Sequence, residues 1–342
     1  MARSEVSRFD GLLNALANPA LLLAPITSKE AVLSSKIEGT VTTLEEVLKQ
    51  DAGFDYPGEK HQDLQEVQNY RRVIFQIVEH FAAEQSLSLS IVKQMHHILM
   101  QGVRGQNKTP GEFRNLQNWI GKAGCKIEDA RFVPPSPTVL PGALLNFEEY
   151  LRSRETDPML QVAIAHAQFE ILHPFLDGNG RVGRLLIPTV MFQRNLLFRP
   201  VFYLSEVLEG RRSEYYDRLL AVTRDGDWLG WIRFFCNAVV DQANINTGRI
   251  RKILSLYNDI KSKLRDFTSS KHGIAAIDTF FARPITNSVT FAAHTKIDNR
   301  VTTNKLLAEF EKAGIITCLR RGTGRTPSIY GLLSLLEIID SQ

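Results

Sequence analysis

The 342-residue sequence has only three cysteines, Cys125, Cys236 and Cys318, far apart and without a CxxC pair. That excludes a disulfide framework and a cysteine-built zinc site, and it points to a reducing compartment. No run of eighteen apolar residues occurs, so no stretch reads as a membrane-crossing helix. The opening Met-Ala-Arg-Ser-Glu-Val lacks the apolar core of a signal peptide, and the expected location is cytoplasmic. An excess of one charge is missing too: 41 basic against 37 acidic residues give +4, too mild to demand nucleic acid as a partner. What remains, 44% hydrophobic and 23% charged residues, is ordinary for a globular protein with a sizeable core and a length for two or three domains.

Against these absences stands one dense stretch, His173-Pro174-Phe175-Leu176-Asp177-Gly178-Asn179-Gly180-Arg181-Val182-Gly183-Arg184, between two apolar helical runs. Gly178 and Gly180 bracket Asn179, so the backbone can adopt conformations closed to other residues and converge N–H groups on an anion. The following segment, 181–197, reads as a helix with Pro188 marking a kink, and its N-terminus would add its dipole and free donors. Arg181 and Arg184, three apart, can face one ligand with a fork geometry suited to phosphate, which implies more than one phosphate. Asp177 beside a polyphosphate calls for a cation between them, as magnesium provides. His173, with an ordinary pKa near ~6.5, suits a general base. The stretch is not a Walker A loop, because no Gly-Lys-Ser/Thr follows it.

The string resembles the signature of the Fic family, His-x-Phe-x-Asp/Glu-Gly-Asn-Gly-Arg-x-x-Arg, at every defined position. The resemblance implies transfer of AMP from ATP to a protein hydroxyl on Ser, Thr or Tyr, with release of pyrophosphate. It gives His173 the role of base and Asp177 that of magnesium ligand. Gly178, Asn179 and Gly180 would cradle phosphate oxygens, with Val182 and Gly183 in the same nucleotide-binding segment. Arg181 and Arg184 would bind the outer phosphates. The fold it implies is mainly α, a Fic-type helical bundle with a small β-hairpin flap, here followed by a winged-helix domain.

A second stretch gains meaning from the first. Pro25 and the Thr27-Ser28-Lys29-Glu30 capping box predict a helix over about 28–39, ending at Gly39. Ser34 and Glu38 lie one turn apart on it. Ser34-x-x-x-Glu38-Gly39 resembles the inhibitory signature that Fic proteins carry beside the active site. The resemblance implies that Glu38 occupies Arg184 and so blocks the outer phosphate; in some relatives the same glutamate supports removal of AMP.

Taken in order, the rest supplies the frame. Thr43-Leu44-Glu45-Glu46 is a second capping box, and residues 61–84 and 90–100 read as helices. The neighbouring His96 and His97 point apart on a helix and do not suggest a metal. Residues 105–119 form a polar loop whose Arg114 is expected to tie it to the core. Residues 125–135 alternate and end in two prolines, which predicts a short hairpin with an exposed edge; in the family this flap aligns a target backbone, here near Phe132–Pro135. Asp157-Pro158 caps a long apolar helix that delivers His173. Tyr215 and Tyr216 sit on a helix over 211–221, where the resemblance implies stacking on adenosine. A last core helix over 228–244 and a connecting one over 250–267 follow.

From about Lys271 three helices and two strands, 314–319 and 328–333, surround the basic turn Arg320-Arg321-Gly322-Thr323-Gly324-Arg325. They resemble a winged helix with Arg300 and Lys305 on its recognition helix, so DNA contact through residues 295–325 is one candidate and a homodimer another. The expected division is 1–100 N-terminal helical region, 101–250 catalytic core, 251–270 connector and 271–342 winged-helix-like domain. Two functions follow: an autoinhibited protein adenylyltransferase using ATP and magnesium, or a DNA-binding regulator whose Fic core senses nucleotide.

Overall fold

The computed structural model describes residues 1–15, 19–82, 86–103, 108–122, 124–154 and 156–341. Along these residues run α1 (Ala2–Asn14), α2 (Pro19–Ile37), α3 (Leu44–Asp51), α4 (Glu59–Ala82), α5 (Leu89–Leu99), α6 (Leu140–Arg152), α7 (Pro158–Leu172) and α8 (Asn179–Gln193). After them come α9 (Ser205–Gly210), α10 (Arg212–Asp225), α11 (Trp228–Ser262), α12 (Leu264–Phe267), α13 (Gly273–Ala282), β1 (Ile285–Asn287), α14 (Ser288–Thr295), α15 (Arg300–Lys312), β2 (Thr317–Arg320), β3 (Ile329–Gly331) and α16 (Leu333–Asp340). No helix among the described residues is long and apolar enough to cross a membrane. Residue 84, the expected end of the helix from His61, and residues 105–107 of the expected polar loop lie outside the described residues.

Local signals account for several boundaries. Thr43 caps α3 as a full capping box, accepting from the Glu46 N–H while its own N–H donates to the Glu46 carboxylate. Asp157 accepts from the Met159 and Leu160 N–H groups, and Pro158 fills the first position of α7, where its missing donor is no loss. The start of α2 differs from expectation. It begins at Pro19, the Thr27–Glu30 box lies inside it, and the Ser28 hydroxyl donates back to the Ala24 carbonyl. Burial of Leu23 and Ile26 offsets the ~3 kcal/mol that a proline such as Pro25 costs inside a helix. Likewise 228–244 and 250–262 are one helix of 35 residues, because the buried stripe of Phe235, Val239, Ala243, Asn246, Ile250 and Ile253 keeps its three-and-four spacing across the expected gap.

The chain forms two compact units that interleave along the sequence, where the sequence suggested consecutive regions. The first comprises Met1–Gly11, Leu33–Thr40 and Gln65–Asn244; the second comprises Leu12–Val32, Val41–Leu64 and Ile245–Gln342. In the first unit α7 is buried on most sides, with Val162, Ala163, Ala167 and Phe169 at 1% exposure or less, and it packs against α6, α8 and α10. Its apolar composition all round demands that central place. The expected flap hairpin over 125–135 forms no strand. Ile120 and Phe132 exchange a single pair of backbone hydrogen bonds (2.9 and 3.1 Å), and residues 127–129 make one 3-10 turn. Pro134 and Pro135 have no N–H with which to extend the ladder.

In the second unit the strands form an antiparallel sheet in the order β1-β3-β2, one strand more than expected. Phe280, Phe291 and Phe310 join α13, α14 and α15 under it. The early helix α3 packs on β1, and Asn287 donates to the Ala52 carbonyl (3.0 Å), which explains why residues 41–64 group with the C-terminal part.

Candidate active site

Helix α7 ends on His173, a residue in the left-handed region (φ 46°, ψ 59°) whose N–H donates to the Phe169 carbonyl at 3.0 Å. Arg114 secures that bend. Its Nε donates to the His173 carbonyl (2.9 Å), and its Nη2 donates to the carbonyls of Pro135 (2.6 Å) and Leu172 (3.3 Å). The structural role expected of Arg114 is the one found. The His173 Nδ1 lies 3.3 Å from the Glu170 carbonyl, which can only accept, so Nδ1 carries the proton and Nε2 keeps its lone pair. Burial lowers the His173 pKa to about 4, so the ring is neutral at physiological pH, as a base must be.

The loop after His173 is closed by its own side chains. The Asn179 Oδ1 accepts from the Phe175 N–H and its Nδ2 donates to the Phe175 carbonyl, both at 2.8 Å. This amide, expected on a phosphate, is instead consumed in shaping the loop. The Asn179, Gly180 and Arg181 N–H groups lie in the first turn of α8, after Gly178 at φ 75°, and so point along the helix start rather than into intrahelical bonds. His96 braces the loop from α5: its Nδ1 accepts from Gly111 (2.8 Å), so its Nε2 donates to the Asp177 carbonyl (3.0 Å) while the ring stacks on Phe175. His96 is a positioning residue, a role the sequence did not suggest. Its place on the Val92, Met95, Leu99 stripe was the available signal.

Arg184, 2% exposed, donates from Nε to the Ser34 hydroxyl (2.8 Å) and from one terminal nitrogen to the Ser34 carbonyl (2.9 Å) and the Glu38 carboxylate (2.7 Å). Gly180 makes this reach possible, because a Cβ there would overlap the Glu38 carboxylate. Burial pushes the Glu38 carboxyl up, but the charge and hydrogen bond of Arg184, helped by Arg181 and His173, outweigh it and leave the carboxyl below its usual range. Gly39, at φ 99°, ends α2 as a left-handed cap: the Thr40 N–H donates to Ser35 and the Gly39 N–H to Lys36, which fixes where Glu38 points.

Other expected residues are placed differently. Arg181 is buried and paired with Glu66 at 3.2 Å, Glu66 also accepts from Thr40, and Arg181 is not among the residues lining the cleft. Val182 is fully buried, Gly183 packs against Glu170, and neither lines the cleft. Tyr215 is 1% exposed and bonded to the His166 Nε2 (2.9 Å), in the core beneath the cleft; only Tyr216 lines it, flanked by Arg131 and Arg212. Adjacent residues on a helix diverge by about a quarter turn, so one tyrosine had to turn inward.

The cleft itself is bounded by Glu38, His173, Asp177 and Gly180 on one side and by Trp119, Ile120 and Arg131 on the other. Asp177 is half-exposed there, with Oδ1 accepting from Gly178 (2.7 Å) and Oδ2 3.8 Å from Lys108. No group of three or more His, Cys, Asp or Glu among the described residues is arranged to hold a metal ion. The Asp177 carboxylate, beside the start of α8, fits magnesium that arrives with phosphate oxygens as its other ligands.

Two family models match the chain: "Fic/DOC family N-terminal" over residues 1–77 and "Fic/DOC family" over residues 86–191, together more than half of its length. A protein adenylyltransferase Fic of Drosophila grimshawi is 32% identical over 130 residues, 37% of this chain and 24% of that protein. A probable protein adenylyltransferase of Aquifex aeolicus is 38% identical over 84 residues, 24% of this chain and 26% of that protein. The chain thus matches about a quarter of the length of these curated relatives. A Fic family protein from Desulfovibrio desulfuricans G20 has a similar crystal structure, with TM-score 0.59 and 21% identity over 97% of this chain and 94% of that one. A Fic domain containing signaling protein from Bacteroides thetaiotaomicron aligns with TM-score 0.57 and 17% identity over 72% of this chain and 96% of that one. At these identities the likeness is one of fold, and the mainly helical architecture is the expected one.

Proposed function

Because the chain belongs to the Fic/DOC family, we propose that it is an autoinhibited protein adenylyltransferase acting on a hydroxyl of a target protein or of itself. The observation that carries the reading is the 2.7 Å contact between Glu38 and Arg184 at the edge of the cleft that also holds His173.

The triphosphate lies against the start of α8, where the N–H groups of 179–181 and the helix dipole meet its charge. His173 Nε2 accepts the proton of the attacking hydroxyl, the hydroxyl oxygen bonds the α-phosphorus, and the bond from that phosphorus to the bridging oxygen breaks, releasing pyrophosphate. Asp177 would hold magnesium, which when bound would supply charge neutralisation for the phosphates. Asn179, His96 and Arg114 hold the geometry. Arg181, committed to Glu66, keeps the loop in place. Arg184 takes the outermost phosphate only when Glu38 leaves it. Separating a buried, hydrogen-bonded pair costs on the order of 3–5 kcal/mol, reduced here because the Glu38 side chain is 32% exposed. The same carboxylate can orient water for AMP removal.

We further read residues 271–342 as a winged-helix-like docking module. Arg300, Lys305 and Arg325 are exposed on it, but Arg321 pairs with Glu311 and Arg320 stacks on Phe54, so fewer cations are available for DNA than the sequence suggested. The enzyme reading is tested by incubating the Glu38→Gly protein with ATP labelled at the α- or the γ-phosphate. Label should enter protein from the α position only, and not in a Glu38→Gly, His173→Ala double variant. Transfer from the γ position, or none from either, would overturn it.

A further inference from the structure

Beside the cleft lies a smaller cavity walled by apolar groups, Phe132, Ile171, Leu219 and Leu220 among them. The two spaces share four residues: Ile120, Arg131, Glu170 and Tyr216. Glu170 has no part in the transfer step described above, yet its placement is unusual. The residue is 9% exposed, and its Oε1 is fully buried without a hydrogen-bond partner. Such a group costs about 1–3 kcal/mol when left unsatisfied. The neighbouring helix leaves room for it through Gly183, where any Cβ would overlap that oxygen. A glycine inside a helix is itself about 1 kcal/mol less favourable than alanine. Two local disadvantages therefore combine to keep one carboxyl, lacking a partner, at the boundary of two cavities.

A nucleoside triphosphate has a flat apolar base, a hydroxyl-bearing sugar and a charged tail. With the tail at the start of α8 and the base in the apolar cavity, the sugar must cross the residues common to both. We propose that Glu170 is the residue that grips the ribose, its carboxyl hydrogen-bonded to a sugar hydroxyl, so that the site selects ribonucleotides over deoxyribonucleotides. This rests on the reading that a nucleoside triphosphate occupies the cleft. The contact works in either protonation state, because a hydroxyl both donates and accepts. Burial raises the Glu170 pKa to about 7, against the pull of Arg184, so both states are present near neutrality. Glutamine preserves the hydrogen bond, whereas leucine has similar bulk and none.

The test uses the full chain. ATP, 2′-deoxy-ATP and 3′-deoxy-ATP are compared as AMP donors for the Glu38→Gly protein, and their equilibrium binding is measured by calorimetry on a Glu38→Gly, His173→Ala protein that cannot turn over. With Glu170 in place, ATP should be preferred to at least one analogue by about tenfold, the worth of one hydrogen bond to a buried polar group. Glu170→Leu should erase that preference by raising KM for ATP with little change in kcat, and Glu170→Gln should restore it. The analogues remove the hydroxyl from the ligand side, so the proposal stands or falls even if Glu170→Leu does not fold. No preference with Glu170 present, or an undiminished preference in Glu170→Leu, overturns it. A parent that binds the three ligands but transfers nothing would sink the AMP-transfer reading, while its binding ratios still decide the ribose contact. A parent that binds none of them overturns both.

Discussion

The stretch from His173 to Arg184 and the flap from Trp119 to Pro135 border one cleft and are held in opposite ways. The first is fixed by buried and part-buried bonds from four directions: Arg114 on the His173 carbonyl, His96 on the Asp177 carbonyl, the Asn179 amide on Phe175, and Ser34 with Glu38 on Arg184. The second is anchored at its end by Arg114 on the Pro135 carbonyl and Gln117 on the Pro134 carbonyl, and ahead of that it is tied by the Ile120–Phe132 bridge and by exposed contacts such as the Trp119 indole N–H on the Cys125 carbonyl. Trp119, Ile127 and Val133 are 42%, 37% and 44% exposed. On the proposed function the difference has a reason: chemistry at phosphorus needs donors set within fractions of an ångström, whereas a surface that accepts a protein chain keeps backbone and apolar groups open.

The comparison can be broken most sharply at its centre. In the Glu38→Gly background, His173→Ala should lower AMP incorporation by at least about a hundredfold, the low end of what a positioned base contributes, with the melting temperature nearly unchanged. Retained activity would move the base elsewhere. Asn179→Ala removes both amide bonds that close the loop and should cost about 1–3 kcal/mol in a denaturant titration, because the Phe175 N–H is left buried without a partner while its carbonyl keeps the Asn118 amide. An unchanged midpoint would mean that the loop is not fixed as described.

Glu170 gives a pH test of the rigid side. Its folded pKa, about 7, lies above the ordinary 4.5, so the native state binds more protons than the unfolded chain between those values. Its contribution is fully present below pH 4.5 and is lost as pH rises to about 7, a change on the order of 3 kcal/mol. Glu170→Gln should flatten that slope and be relatively more stable at pH 8 than at pH 5; parallel stability curves would contradict the assignment. The flap should respond least in stability. Trp119→Ala should shift it by no more than about 0.5–1 kcal/mol while lowering modification of a separate target severalfold, measured against self-modification. A large stability loss would make the flap part of the core.

What the sequence revealed and what it hid divide along the same line. The pairing of Glu38 with Arg184 was legible although 146 positions separate them, because both stretches resemble Fic signatures and the resemblance implies their contact. The inward turn of the Asn179 amide was not, since a Gly-Asn-Gly bend reads the same whether its side chain meets ligand or backbone. Neither was the commitment of Arg181 to Glu66, a partner supplied by α4 that no local pattern announces. Helix α2 starts eight residues ahead of its apparent cap because burial of Leu23 and Ile26 overrides the local signals, and β1 is too short to leave a period-two pattern. The flap forms no strand over 125–135 because the two prolines, the expected mark of an exposed edge, have no N–H with which to extend a ladder.

The most direct test of the central claim is the rate at which adenylyl mass appears on the intact protein in ATP and magnesium, measured side by side for the unaltered chain and Glu38→Gly. If Glu38 holds Arg184 away from the outer phosphate, the variant should gain one or more adenylyl groups at least tenfold faster. Equal rates, or no added mass in either, would contradict the account.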